Sequence, residues 1–257
     1  MKTVKSLKGI WLSTVSLLVL FFAALLTSCN KEKPITLDVY SVKLHHGETY
    51  KIPAECENPI SYSSEIEYYA SVTQDGVVTA NHVGGTAIHL ESKDDKRDFV
   101  VYVIAKSGLY SDPNIGFGQF KSSLSTPDYQ TSTTYCYFNY APHVPYMLVT
   151  FDALDRVKAY AVLVDYNQFS ELMTYLNERY ECIGIDGVGA DRIWYYIDGK
   201  TSAEAKRAIV ATSYQYEGLF YWMVTYMPNP TKDERTALCV DEGLIQFIAN
   251  RQAYYLY

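Results

Sequence analysis

The amino-acid sequence predicts an all-β sandwich followed by an α+β domain with an antiparallel sheet and few helices. Three observations carry that prediction. Between residues 35 and 105, short alternating runs are punctuated by turn residues at regular spacing. From Leu109 onward the runs lengthen into hairpins, and one apolar stripe repeats at the helical period. Ahead of both, a basic and then apolar segment stops at Cys29, which sets residues 1–28 apart as a secretory signal.

Lys2, Lys5 and Lys8 form the positive start of that segment, and residues 15–26 are apolar except for Ser16. The run Leu26-Thr27-Ser28-Cys29 resembles the lipobox of bacterial lipoproteins. That resemblance implies cleavage before Cys29 and a diacylglyceryl group on its sulfur, with acyl chains such as palmitate. The competing readings are a plain signal peptide or an uncleaved anchor helix starting at Ile10. Ser13, Thr14, Ser16 and the small residues before a single cysteine weigh against the helix. Two chains on one cysteine give stable anchoring, since each buried CH₂ contributes about 0.8 kcal/mol. Membrane lipid at Cys29 is therefore the first expected partner. Residues 29–34 form a lipidated tether whose five residues after the cysteine reach at most about 17 Å. Asn30 in place of Asp points to transit to the outer membrane, and Lys31-Glu32 to surface export.

The first domain is placed at residues 35–105. Tyr50, Ile52, Ala54 and Cys56 alternate with Lys51, Pro53 and Glu55, the period of a half-buried strand. His46-Gly47-Glu48 joins it to Val42-Lys43-Leu44, while Gly84-Gly85 and Lys93-Asp94-Asp95-Lys96 mark later turns. Residues 99–104 form the closing strand. Val42-Lys43-Leu44, Gly47-Glu48-Thr49-Tyr50, Tyr62-Ser63-Ser64, Ala70-Ser71-Val72, Gly76-Val77-Val78-Thr79-Ala80 and Gly85-Thr86-Ala87-Ile88 together resemble the group 2 bacterial immunoglobulin-like domain. Tyr62 stands where that family usually has Trp, and Glu65-Ile66-Glu67-Tyr68-Tyr69 replaces its Asn-Pro segment. The resemblance implies an immunoglobulin-like β-sandwich acting as a spacer or adhesive module, without catalytic residues.

Residues 105–113 read as a linker. The second domain, 109–257, holds 19 of the 25 tyrosines. Strands are expected at 134–140, 146–151, 157–165, 192–197, 208–214 and 219–227. Hairpins turn over Asp152-Ala153-Leu154-Asp155 and Glu217-Gly218. Phe169, Leu172, Met173, Leu176 and Tyr180 fall on one face of an amphipathic helix that Asp165 or Asn167 would cap. A weaker helix at 118–125 would make helix-then-three-strands a repeated unit, as in inhibitor-like folds built from two repeats. Leu244, Phe247, Ile248 and Arg251 suggest a terminal helix.

The net charge of −7 becomes −10 when residues 1–28, with three lysines and no acid, are removed. An acidic chain without a basic stripe argues against a nucleic-acid partner. Cys56, Cys136, Cys182 and Cys239 remain, widely spaced and without C-x-x-C. They fit buried thiols, or one disulfide among the last three, better than a zinc site. The glycine-rich loop 184–191 and Gly116-Phe117-Gly118 match neither phosphate- nor calcium-binding patterns and read as turns. No metal or cofactor is expected.

Alternation puts Trp194 with Tyr196 on one strand face and Trp222 with Tyr226 on another. These four residues are the candidate ligand-binding face for a glycan or a protein, because flat amphipathic rings bury much area at low entropy cost. The bland reading is that they are core aromatics packed between layers. A non-catalytic binding lipoprotein of the cell envelope is thus the leading expectation. The alternatives are a hydrolase using Asp152, Asp155, Asp186 and Asp191, or an inhibitory or structural partner of another envelope protein.

Overall fold

The structure, a computed structural model, describes residues 33–229 other than Asp94 and Glu217. The signal segment, Cys29 with residues 30–32 of its tether, Cys239 and the expected helix at 244–251 lie outside the described residues. The described chain is mostly antiparallel β-sheet with one short α-helix. None of its helices is long and apolar enough to cross a membrane.

The first nine strands are β1 (Thr36–Leu37), β2 (Ser41–His45), β3 (Thr49–Lys51), β4 (Ala54–Glu55), β5 (Ser61–Ser64), β6 (Ala70–Val72), β7 (Val77–Ala80), β8 (Gly84–Ser92) and β9 (Asp95–Ile104). They form a four-stranded sheet in the order β2-β9-β8-β5, a three-stranded sheet β3-β7-β6 and the small pair β1-β4. All pairings are antiparallel except β2 with β9. Leu44, Ile88, Leu90, Phe99 and Val101 from the larger sheet share one core with Ala70, Val78 and Ala80 from the smaller and with Ile52 just after β3. Tyr50 stacks on Phe99 across it at 5.9 Å.

Two expectations shift here. The alternating run from Tyr50 is broken into β3 and β4, because Pro53 has no N–H to give to a ladder. The Ala54 N–H turns back to the Ile52 carbonyl at 3.0 Å, and Ile52 still points into the core. Gly84-Gly85 opens β8 and is no turn; a Cβ on Gly84, whose φ is +154°, would lie 2.4 Å from the Tyr69 ring.

The second module contains β10 (Tyr129–Gln130), β11 (Thr134–Ala141), β12 (Val144–Phe151), β13 (Val157–Asp165), α1 (Phe169–Asn177), β14 (Glu181–Asp186), β15 (Ile193–Ile197), β16 (Arg207–Tyr216) and β17 (Leu219–Pro228). Its eight strands make one antiparallel sheet in the order β10-β11-β12-β13-β17-β16-β15-β14. Each half is a meander of four, and their last strands, β13 and β17, pair at the centre.

On one sheet face α1 sets Leu172, Tyr175 and Leu176 against Val162, Val164, Ile209, Ala211 and Val224. Beyond the end of α1, Tyr180 joins the same cluster. The helix is preceded by a 3₁₀ turn at Tyr166–Gln168, and its N-cap is Gln168 with no side-chain cap bond, so neither Asp165 nor Asn167 caps it. The segment 118–125 holds only a 3₁₀ turn, Lys121–Ser123, yet Phe117 and Leu124 pack on the same core. The opposite face carries clusters built of strand residues alone, Cys136, Leu148, Ala161, Leu163 and Met223 in one and Ala208, Val210 and Met227 in another.

Residues 105–113 do not behave as a loose linker. Leu109 and Tyr110 are buried in the second core, and Ser107 is buried at the junction. Cys136 and Cys182 are not bonded to each other. They sit on β11 and β14, six strand spacings or about 29 Å apart, far beyond disulfide reach.

Candidate functional site

Trp194 and Tyr196 share a strand face, as do Trp222 and Tyr226, and the register puts both pairs on the same side of the sheet, where α1 and its flanking turn cover them. Their exposures are 7%, 1%, 5% and 0%, so they form no aromatic binding face. Trp222 stacks on Tyr166 at 5.1 Å, packs against Phe169 at 4.8 Å, and donates its Nε1–H to the Tyr166 carbonyl at 2.9 Å. Phe169 also touches Trp194 at 5.5 Å. Tyr226 shares a 2.7 Å hydroxyl–hydroxyl bond with Tyr110. The physical reason is the helix: a sheet face that rich in large aromatics is buried as soon as one amphipathic element can reach it.

The most charged cluster lies where the two modules meet. Glu178 is almost fully buried; its carboxylate accepts the Lys106 N–H at 2.8 Å and the Ser107 N–H at 3.0 Å, and pairs with Arg179 at 2.5 Å. Arg179 lies over the Tyr175 ring and donates to the Ser107 carbonyl. Val83 donates its N–H to the Glu178 carbonyl, Tyr68 its hydroxyl to the Arg179 carbonyl, and Lys200 pairs with Glu67.

Alongside, Asp112 accepts the hydroxyls of Tyr175 and Tyr180 and a 3.2 Å bond from Arg207, which also holds Asp198 at 2.8 Å. Burial first, and then the Asp112 carboxylate and neighbouring hydroxyls, keeps Tyr175 and Tyr180 above the ordinary phenol value, so both stay protonated donors. Burial works against the Arg207 charge, but Tyr180, Asp198 and Tyr160 together outweigh it and raise its pKa. Clefts of about 610 and 680 Å³ flank this junction. Their charged walls are largely spent on one another, so the cluster is a latch between modules.

The carboxylates offered for hydrolysis do not converge. Asp152 closes the β12–β13 turn, accepting the Leu154 and Arg156 N–H groups and the Arg156 guanidinium. Asp186 caps Gly187 in the β14–β15 turn with Asp191 close by in sequence, at the opposite end of the sheet. Among the described residues no group of three or more His, Cys, Asp or Glu could hold a metal ion.

What remains is apolar and exposed. Tyr166, Phe169, Ile183, Ile185, Val188, Leu219 and Phe220 all expose more than a third of their surface. They gather along β14 and around the end of the sheet marked by Asp165, Asp186, Ile193 and Leu219. Tyr166 and Phe220 are 5.4 Å apart, and Ile185 pairs with Trp194 in the register. This rim sits over the buried Trp194–Trp222 pair. Sequence reasoning missed β14 because Gly184 and a bulge between Cys182 and Gly184 interrupt its alternation. The signal was Ile183 and Ile185 within what reads as a glycine loop.

The rim also has a defined position along the molecule. The Ile35 N–H binds Asp95 at the start of β9, whereas the junction lies at its other end, beside Ile104. Within the second module, Glu181 and Ile197 are at the junction end and Asp186 and Ile193 at the far end. With about 3.3 Å per residue, β9 and β17, ten residues each, span about 33 Å apiece. The start of the first module, the junction and the second module therefore follow one another, and the apolar rim is at the far tip.

No family model matches the chain, and no curated protein matches it. Among solved structures it is similar to the S-layer protein SbsC, domains 5-6, with 11% identity over 78% of this chain and 86% of that one, at a TM-score of 0.26. Domains 4-9 and domains 1-6 of that surface layer protein match at 12% identity and the same TM-score. They cover 78% and 74% of this chain against 27% and 25% of theirs. At such scores the likeness carries no argument about fold or function.

Proposed function

We propose that this is a lipid-anchored cell-envelope protein that binds another protein through the far tip of its second module and performs no chemistry of its own. In this reading Cys29 carries the lipid, and residues 35–105 are a group 2 bacterial immunoglobulin-like spacer. The two-sheet packing around one core supports that assignment. The observation that carries the proposal is the gathering of exposed Tyr166, Phe169, Ile185, Val188, Leu219 and Phe220 at the end away from the tether. Exposed apolar side chains gathered at one end of a module, with Tyr166 and Phe220 in contact there, mark an interaction site. Aliphatic side chains among the aromatics suit a protein partner better than a glycan, and both tryptophans are buried beneath them.

Two experiments test this. Cys29→Ala should leave an unprocessed precursor, whereas an unmodified Cys29 in the native protein by mass spectrometry would defeat the anchor. A photo-crosslinking amino acid at Phe220 should give a discrete adduct on intact cells. The same group at Leu154, exposed in the turn at the opposite end of the sheet, should give none. Equal adducts from both positions would refute a tip-directed contact.

A further inference from the structure

The eight-stranded sheet has two edges, and they differ. β10 is two residues long, the short edge that sheets use to avoid pairing with other chains. β14 has six residues, no proline and no lysine, exposes Ile183 and Ile185 at 47% and 59%, and carries one bulge, between Cys182 and Gly184. It pairs with β15 on one side, and no strand among those described pairs with the other. At its junction end the edge runs into the cleft of about 610 Å³, lined there by Glu181, Cys182, His82 and Asn177. At its far end it reaches the apolar rim beside Phe169 and Val188.

Resting on the protein-binding reading above, we propose that β14 is a docking edge. It receives an extended segment of a partner protein, apolar at alternate positions and basic at its ends, as an added antiparallel strand. Main-chain groups of β14 on either side of its bulge supply the ladder, and the exposed Ile183 and Ile185 supply apolar contacts for the side chains of the added strand. The acids set the charge of the occupant. Glu181 and Asp186 stand at the two ends of the strand. A second copy of β14 laid antiparallel would oppose Glu181 to Asp186 at both ends, so self-pairing is disfavoured. A segment ending in Lys or Arg meets an acid at each end.

The probe is a fluorescein-labelled, blocked heptapeptide, Lys-Val-Thr-Val-Thr-Val-Lys, titrated into the detergent-solubilised full chain. Saturable binding is expected, with slowed amide exchange across 182–186. Glu at both peptide ends should weaken binding about tenfold or more, about 1.4 kcal/mol. The double variant Ile183→Lys, Ile185→Lys should do the same without lowering the melting temperature, because both side chains are exposed. Equal affinity for the two peptides, protection on β10 instead of β14, or indifference to the double variant would overturn the proposal. No saturable binding up to about 1 mM would overturn it too. A Phe220 adduct on cells alongside such a failure would remove the strand-addition edge and leave the tip contact standing.

Discussion

Replacing Glu178 by alanine removes the carboxylate that ties the chain between the modules to the end of α1. Two backbone donors lose a charged acceptor, Lys106 at 2.8 Å and Ser107 at 3.0 Å. Hydrogen bonds to charged groups contribute about 1.5–3 kcal/mol each, and a buried orphan donor costs about 1–3 kcal/mol. Ser107 is buried and bears that cost in full, whereas Lys106 is exposed enough for water to replace its partner. Arg179 keeps its contacts with the Ser107 and Tyr175 carbonyls and the Tyr175 ring, which limits the loss from the broken ion pair. The expected destabilisation is about 3 kcal/mol, or about 6–12 °C in melting temperature for a chain of this size. Calorimetry should show the fall and a separation of the modules into two transitions. Glu178→Gln, which keeps one acceptor, should lose about half as much. A fall under about 1 kcal/mol for alanine, or a glutamine variant as damaged as the alanine one, would refute the latch.

Ile52→Asp places a charge at a 1% exposed position and should cost the first module more than about 4 kcal/mol. Trp194 and Trp222 should keep their native fluorescence in that variant, since both lie in the other core. Trp222→Ala should destabilise the second module by about 3–5 kcal/mol in urea, because its ring fills the space between Tyr166, Phe169 and Trp194. His82 is stacked on Tyr68, and burial, opposed by the Tyr68 carbonyl and Glu181, pushes its pKa below the ordinary value. The unfolded chain then binds the proton more readily than the folded one. Its contribution is therefore complete above about pH 6.5 and is lost as pH falls. Urea midpoints at pH 7.5 and 5 should differ less in His82→Gln than in the natural chain, and an unchanged difference would count against the imidazole.

The strands legible in the sequence were those with strict alternation or long apolar runs. β11, β12, β13, β15, β16 and β17 fall where the pattern places them, within a few residues. The face of α1 was legible too, through Leu172 and Leu176; Tyr175, three positions after Leu172, is buried beside them and widens that face. Which sheet face the helix covers is a tertiary fact. Alternation paired Trp194 with Tyr196 and Trp222 with Tyr226 within their strands; that the two pairs share one face, and that this face is the inside, depends on the register of β15, β16 and β17. The docking of residues 105–113 was equally hidden, because the Ser107 N–H finds its acceptor on Glu178, more than seventy positions on. Gly184 and its bulge made β14 look like part of a turn, so the one long edge of the sheet went unseen.

The central pairing of β13 with β17 has a kinetic consequence. Val162 meets Val224, roughly 60 positions later in the chain. The flanking hairpins β12–β13 and β16–β17 close locally, but the seam cannot zip until the second meander has been made. Loop-closure entropy must be met before the seam contributes anything, so this step should set the folding rate of the module. A chain delivered across a membrane from its N-terminus would present the first half of the sheet, β13 and its unpaired edge included, before its partner strand arrives. During that interval the exposed edge is the point at which misassembly begins.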